Sequence, residues 1–154
     1  RPKPEFGTIE VRVCDTPLTV ERAAVLAAYV QAICRMLLDR PVAPESEDIY
    51  LTYNYNRFQA CRFGLEGQVI NGTTGASRAL HQEVLTTLDT CRPFASELES
   101  TYALDEIERL VRTTGNDARW QRETYQRRHS MAELLLESAD LWRGKSAHAK
   151  YIDY

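Results

Sequence analysis

Thr8-Ile9-Glu10-Val11-Arg12-Val13-Cys14-Asp15 is the stretch on which the reading of this chain turns. Ile9, Val11 and Val13 alternate with Thr8, Glu10, Arg12 and Cys14. Side chains on a strand point to opposite faces in turn, so the pattern predicts a β-strand from about Thr8 to Cys14. One face is apolar and needs a core. The other presents a carboxylate and a guanidinium about 6.6 Å apart along the strand, at about 3.3 Å of rise per residue. Such a pair can hold a divalent cation beside a phosphate or carboxylate. From the residues alone the plainer reading, a cross-strand ion pair on a solvated face, is preferred, since antiparallel sheets commonly keep one face polar.

Working outward, the residues before the strand, Arg1 to Gly7, read as extended, because Pro2 and Pro4 block a helix. After it, Asp15 to Thr19 reads as a turn, with Thr19 as N-cap and Glu21 in the first turn of a long helix from Val20 to Asp39. That helix is apolar nearly all round. Gln31 and Arg35 interrupt the run, so a buried core helix is expected rather than a membrane span. Pro41 and Pro44 break the chain, and Ser46 can cap a second helix from Glu47 to about Phe63, ended by Gly64 and Gly67. Leu51, Tyr55, Phe58, Arg62 and Leu65 share one face of it. Arg62 therefore lies in line with the apolar stripe, either snorkelling to water or aimed at an anionic ligand.

Gln68 to Ala79 reads as a hairpin, with Asn71-Gly72 and Thr74-Gly75 as turn signals. Asn71-Gly72-Thr73 also matches the glycosylation acceptor pattern, idle without a secretory signal. Further helices are expected over about Gln82–Cys91, stopped by Pro93, over Thr101–Thr114, from Asn116 or Asp117 to Arg127, and from a capping box at Ser130 and Glu133 to about Arg143. The tail 145–154 has no pattern and is expected to be loosely ordered. The fold class is α+β: mostly helical, with one or a few antiparallel strands. A lone strand cannot satisfy its backbone, so Thr8–Cys14 is expected to pair with strands outside this sequence or weakly represented near residue 69.

The 154 residues amount to one domain, 44% hydrophobic and 27% charged, which is ordinary for a globular protein. A net charge of −3 argues against nucleic acid as partner. The four cysteines, at 14, 34, 61 and 91, form neither a zinc pattern nor a disulfide framework, and free thiols point to a cytoplasmic setting. No signal peptide is visible, and no membrane association is expected. The chain opens without an initiator methionine and enters a strand almost at once, so it is expected to be the C-terminal part of something longer.

Cys14 shares the polar face with Glu10 and Arg12, yet no His or other base stands near it in sequence, which weighs against a nucleophilic role. His81, His129 and His148 lack metal-ligand spacing. Arg119, Arg122, Arg127, Arg128 and His129 read as a solvated helix face, and Trp120 and Trp142 as core.

Two blocks carry a family resemblance: Arg1 through Thr19, and Asn56-Arg57-Phe58-Gln59-Ala60-Cys61-Arg62-Phe63-Gly64-Leu65-Glu66-Gly67. In content, order and spacing they resemble the glutamate–cysteine ligase type 2 family, the YbdK-like carboxylate-amine ligases, over roughly residues 1 to 143. The resemblance implies a glutamine-synthetase-like catalytic domain, a curved antiparallel sheet backed by helices, with residues 1–154 as its C-terminal part. It implies ATP-dependent joining of a carboxylate to an amine: phosphoryl transfer to the glutamate side chain, then attack on the acyl phosphate by cysteine or another amine. ATP and Mg²⁺ are the implied cofactors, glutamate and an amine the implied small-molecule substrates, and a homo-oligomer the implied full-length assembly.

By the same resemblance Glu10 is the candidate metal ligand, since Mg²⁺ prefers oxygen. Arg12 is the candidate catalytic group, its guanidinium fork suited to a phosphoryl or carboxylate. Arg1, Arg62 and Asn56 are candidates for cofactor contact. With further metal ligands expected in the absent half, the 154-residue piece alone is expected to be inactive. The alternative function is a non-catalytic helical C-terminal module for packing, dimerisation or regulation.

Overall fold

The computed structural model describes residues 2–39, 47–113 and 116–145. The order along the chain is β1 (Pro2–Lys3), β2 (Thr8–Ile9), α1 (Val20–Asp39), α2 (Glu47–Phe63), β3 (Gln68–Ile70), β4 (Ser77–Ala79), α3 (Leu80–Glu97), α4 (Thr101–Arg112), α5 (Asp117–Arg128) and α6 (Met131–Trp142). Short 3-10 turns stand at Pro4–Phe6 and Gly64–Glu66. The chain is mostly helical with small antiparallel sheets, an α+β arrangement. It divides into two compact units, Arg1–Ala24 with Asp117–Tyr154, and Val25–Asn116. Among the described residues no helix is long and apolar enough to cross a membrane.

In the unit Val25–Asn116 the core is helical. Val25 and Ala32 of α1, Leu88, Cys91 and Ala95 of α3, and Ala103, Leu104 and Ile107 of α4 are buried together, with Tyr29, Ile33, Met36 and Val84 packed around them. The spacing of Ala103, Leu104 and Ile107 is the one-sided apolar stripe that a helix turns toward a neighbour. α1 is less enclosed than its composition predicts. It buries one side only, and Leu37 and Leu38 near its end are exposed.

Pro93 does not stop α3, which continues to Glu97. A proline inside a helix forfeits one backbone hydrogen bond. Here the next turn buries Phe94 and Ala95, the latter completely, and apolar burial of that size offsets the loss. Beyond its end the chain turns away at Glu99, whose φ of 53° is left-handed, and the Ser100 N–H donates to the Ala95 carbonyl at 2.8 Å. That is the C-terminal geometry glycine usually supplies.

The hairpin predicted over Gln68 to Ala79 is present, with β3 and β4 antiparallel and Val69 opposite Arg78. Asn71 makes its turn: the side-chain oxygen accepts from the N–H groups of Thr73 and Thr74, each at 2.9 Å. β3 lies close against α2, and a Cβ on Gly67 would stand 2.9 Å from the Gln59 carbonyl oxygen. Only glycine fits there without displacing backbone. The face of α2 that meets the hairpin is polar, with Asn56 and Gln59 bonded to β3. The apolar stripe expected to be inward, Leu51, Tyr55 and Phe58, is exposed.

In the unit Arg1–Ala24 with Asp117–Tyr154, α5 and α6 are joined by a tight corner at His129, with φ of 51°. Ser130 caps α6 as the capping box predicts, its Oγ accepting from the Glu133 N–H at 3.3 Å. Leu18, Trp120 and Leu134 form a small core with Leu141 against it. Trp142, expected in the core, is about half exposed, and Leu135 is exposed. Arg119, Arg127 and Arg128 pair with Glu123, Glu137 and Glu133 along α5 and α6, a solvated ion-paired face. The expectations for Pro41, Pro44, Ser46, Thr114, Gly115 and the tail from residue 146 lie outside the described residues.

Candidate functional site

The N-terminal segment is organised differently from the seven-residue strand its alternation predicts. Gly7, left-handed at φ 61°, donates its N–H to the Pro4 carbonyl and folds the chain back, so that Pro2 lies opposite Ile9 and Lys3 opposite Thr8. The predicted extended lead-in is therefore one arm of a tiny hairpin, and regular strand stops at Ile9. Residues 10–17 carry no regular secondary structure. The reason is physical: a strand is held by its neighbours, and β1 offers two residues only. Ile9, Val11 and Val13, the face that needs a core, are exposed, Val13 at 80%.

Glu10 and Arg12 nevertheless come together. The Arg12 Nε stands 2.7 Å from the Glu10 Oε1, a charge-assisted hydrogen bond, with the Glu10 side chain 37% exposed and that of Arg12 64%. The Glu10 Oε2 is shielded from solvent, so of the two groups it is the Arg12 guanidinium that stands open to an oxyanion. The segment is held at its far end. Leu18 is buried against Trp120 and Leu134, and its N–H donates to the Asp117 Oδ2 at 2.9 Å. The Asp117 Oδ1 pairs with Arg22 in the first turn of α1, where Thr19 caps, its Oγ1 accepting from the Arg22 N–H at 3.1 Å. Asp117 reads in the sequence only as a helix-starting acid. Its tie to Leu18 crosses 99 positions, and no local pattern announces it.

Asn56 and Arg62 belong to the other unit. The side chain of Asn56 is engaged with the backbone of Ile70, which it meets twice at 2.8 Å. Arg62 is exposed on α2. Arg1 lies outside the described residues. Cys14 and Cys61 are exposed, Cys34 is half-buried, Cys91 is buried, and all four are free thiols.

Among the described residues no three His, Cys, Asp or Glu side chains gather as a divalent ion requires. Glu10 brings a single carboxylate, and the described residues do not close a metal site by themselves.

Comparison with known proteins bears on the whole of this segment. The family model described as glutamate-cysteine ligase family 2 matches residues 1–139. A Legionella pneumophila (strain Corby) protein named "Putative glutamate--cysteine ligase 2-2" is 50% identical over 143 residues, which are 93% of this chain and 38% of that relative. Proteins named "Putative glutamate--cysteine ligase 2-1" from the Lens and Paris strains match with the same identity and coverage. The chain thus spans 38% of the length of these curated relatives.

Proposed function

The chain belongs to glutamate-cysteine ligase family 2, and from that membership we propose that it is a part of an ATP-dependent carboxylate-amine ligase that joins glutamate to cysteine or a related amine. The observation that carries the reading is the Glu10–Arg12 pair, bonded at 2.7 Å within the matched residues. In the proposed site Arg12 turns its guanidinium fork to the transferring phosphoryl group or the substrate carboxylate, where two parallel N–H donors orient as well as attract. Stabilising charge at the phosphoryl oxygens is most of the catalysis in such a transfer. Glu10 keeps the fork aimed and would be one oxygen ligand of Mg²⁺, the others coming from outside the described residues; in this structure its Oε2 is shielded from solvent. In the other unit Arg62 stands exposed on α2, and Asn56 holds β3 against that helix.

The test uses the full-length protein that contains this chain, with phosphate release measured on addition of ATP, Mg²⁺, glutamate and cysteine. Glu10→Gln and Arg12→Ala are each expected to lower turnover on the order of 100-fold, the scale of losing one charge-stabilising donor. Parental turnover in both variants removes the pair from the mechanism. A second reading, a non-catalytic packing module, draws on α2, where Leu51, Tyr55 and Phe58 stand exposed in one row. Silent Glu10 and Arg12 variants combined with loss of assembly in Phe58→Asp would favour it.

A further inference from the structure

We propose that Asp117 is a positioning residue of the Glu10–Arg12 segment: one carboxylate at the start of α5 holds both the Leu18 N–H and the Arg22 guanidinium, and so fixes the end from which that segment departs. The inference rests on the ligase reading for its catalytic half and on geometry alone for its anchoring half.

The Glu10–Arg12 contact joins near neighbours, and the β1–β2 hairpin is confined to residues 2–9. Leu18 is where the segment meets structure from the far end of the sequence. Its side chain is 6% exposed, beside Trp120 at 7% and Leu134 at 9%. The two oxygens of Asp117 bind on either side of the Thr19 cap, one before α1 and one inside its first turn. The Arg22 and Asp117 side chains are only 18% and 28% exposed, and a shielded pair is screened less by salt than the pairs along α5 and α6. A carboxylate with both oxygens used fixes position and direction together, which a single contact does not.

Asp117→Asn keeps the shape and one acceptor oxygen but withdraws the charge facing Arg22. In the full-length protein, two readouts are followed: hydrogen exchange of the Leu18 amide with residues 10–17, and kcat separately from KM. The variant is expected to exchange faster across residues 10–18. Its kcat is expected to fall on the order of tenfold with KM nearly unmoved, because small misplacements of a reacting-centre group act on the transition state. Asp117→Glu, which retains the charge, is expected to recover part of the turnover. Glu137→Gln, which removes a carboxylate shared by Arg127 and Arg128 in the same unit, serves as the control. It is expected to leave both readouts at the parental level.

Parental exchange at Leu18 in Asp117→Asn overturns the anchoring, whatever the activity. Faster exchange with parental kcat overturns the positioning role, as does an equal loss of kcat in Glu137→Gln. If Asp117→Asn does not fold, Arg22→Gln, which leaves Asp117 on Leu18, is read against the same two outcomes. A parent protein without turnover sinks the ligase reading and the catalytic half with it, while exchange still decides the anchoring.

Discussion

Asn56 holds Ile70 by both of its backbone groups, donating from Nδ2 to the Ile70 carbonyl and accepting from the Ile70 N–H at Oδ1, each at 2.8 Å. The side chain does for β3 what an adjacent strand would do, on the side where, among the described residues, β3 has no strand. This contact joins α2 to the hairpin, and the polar character of α2's inner face follows from it.

Asn56→Ala is accordingly expected to destabilise the fold by about 1–3 kcal/mol, the scale for two lost hydrogen bonds at a half-buried backbone. Urea denaturation measures it, and a midpoint equal to the parent's would show the clamp to be idle.

Leu88 is 1% exposed and Leu104 is fully buried, both in the α1–α3–α4 core. Truncating either to Ala is expected to cost about 2–5 kcal/mol, the transfer loss plus the cavity. Leu135→Ala on α6, where the side chain is 62% exposed, is expected to stay within about 0.5 kcal/mol. The same denaturation series compares them.

Burial pushes the Tyr29 phenol from its ordinary 10.0 up to about 12, aided by the nearby Cys91 and Glu83 and opposed by a hydrogen bond with Thr87. The folded state thus holds this proton more tightly than the unfolded state. The contribution to stability is complete below pH 10.0 and is lost as pH rises toward about 12. Tyr29→Phe is expected to remove this part of the alkaline decline, read as melting temperature against pH.

Burial raises the Glu137 carboxyl, but the hydrogen bond from Arg128 and the charges of Arg128 and Arg127 outweigh it and hold the group below its ordinary value. A depressed carboxylate stabilises the fold above its unfolded-state value and ceases to do so as pH falls through the depressed one. Glu137→Gln is expected to flatten the acid limb of the stability curve while changing little near neutrality. An acid limb identical to the parent's would show that the two arginines do not act on it.

What could be read from the sequence was what neighbours in sequence decide. The start of α1, the end of α2 and the start of α6 follow from Thr19, Gly64 and Ser130, whose capping chemistry is local. The turn at Asn71 is local too, and so is the meeting of Glu10 with Arg12, which lie two positions apart. What escaped depends on distant partners. The strand expected to Cys14 ends at Ile9 because β1 is only two residues long. Pro93 reads as a stop until Ala95 is seen buried among residues of α1 and α4, with Phe94 buried beside it in sequence. The apolar row of α2 reads as inward because helical spacing cannot report that a hairpin edge needs amides from the opposite side. Asp117 is legible as a helix start and silent about Leu18.

The bare valines at 11 and 13 bear on how this chain behaves in a test tube. They follow the short β2 in a run without regular secondary structure that alternates large apolar with polar groups, with no proline until Pro17. Such a run is a template onto which the same run of another molecule can add, edge to edge. Handled by itself at high concentration, the chain is expected to accumulate thioflavin-positive aggregates, and a lysine in place of Val13 to delay them.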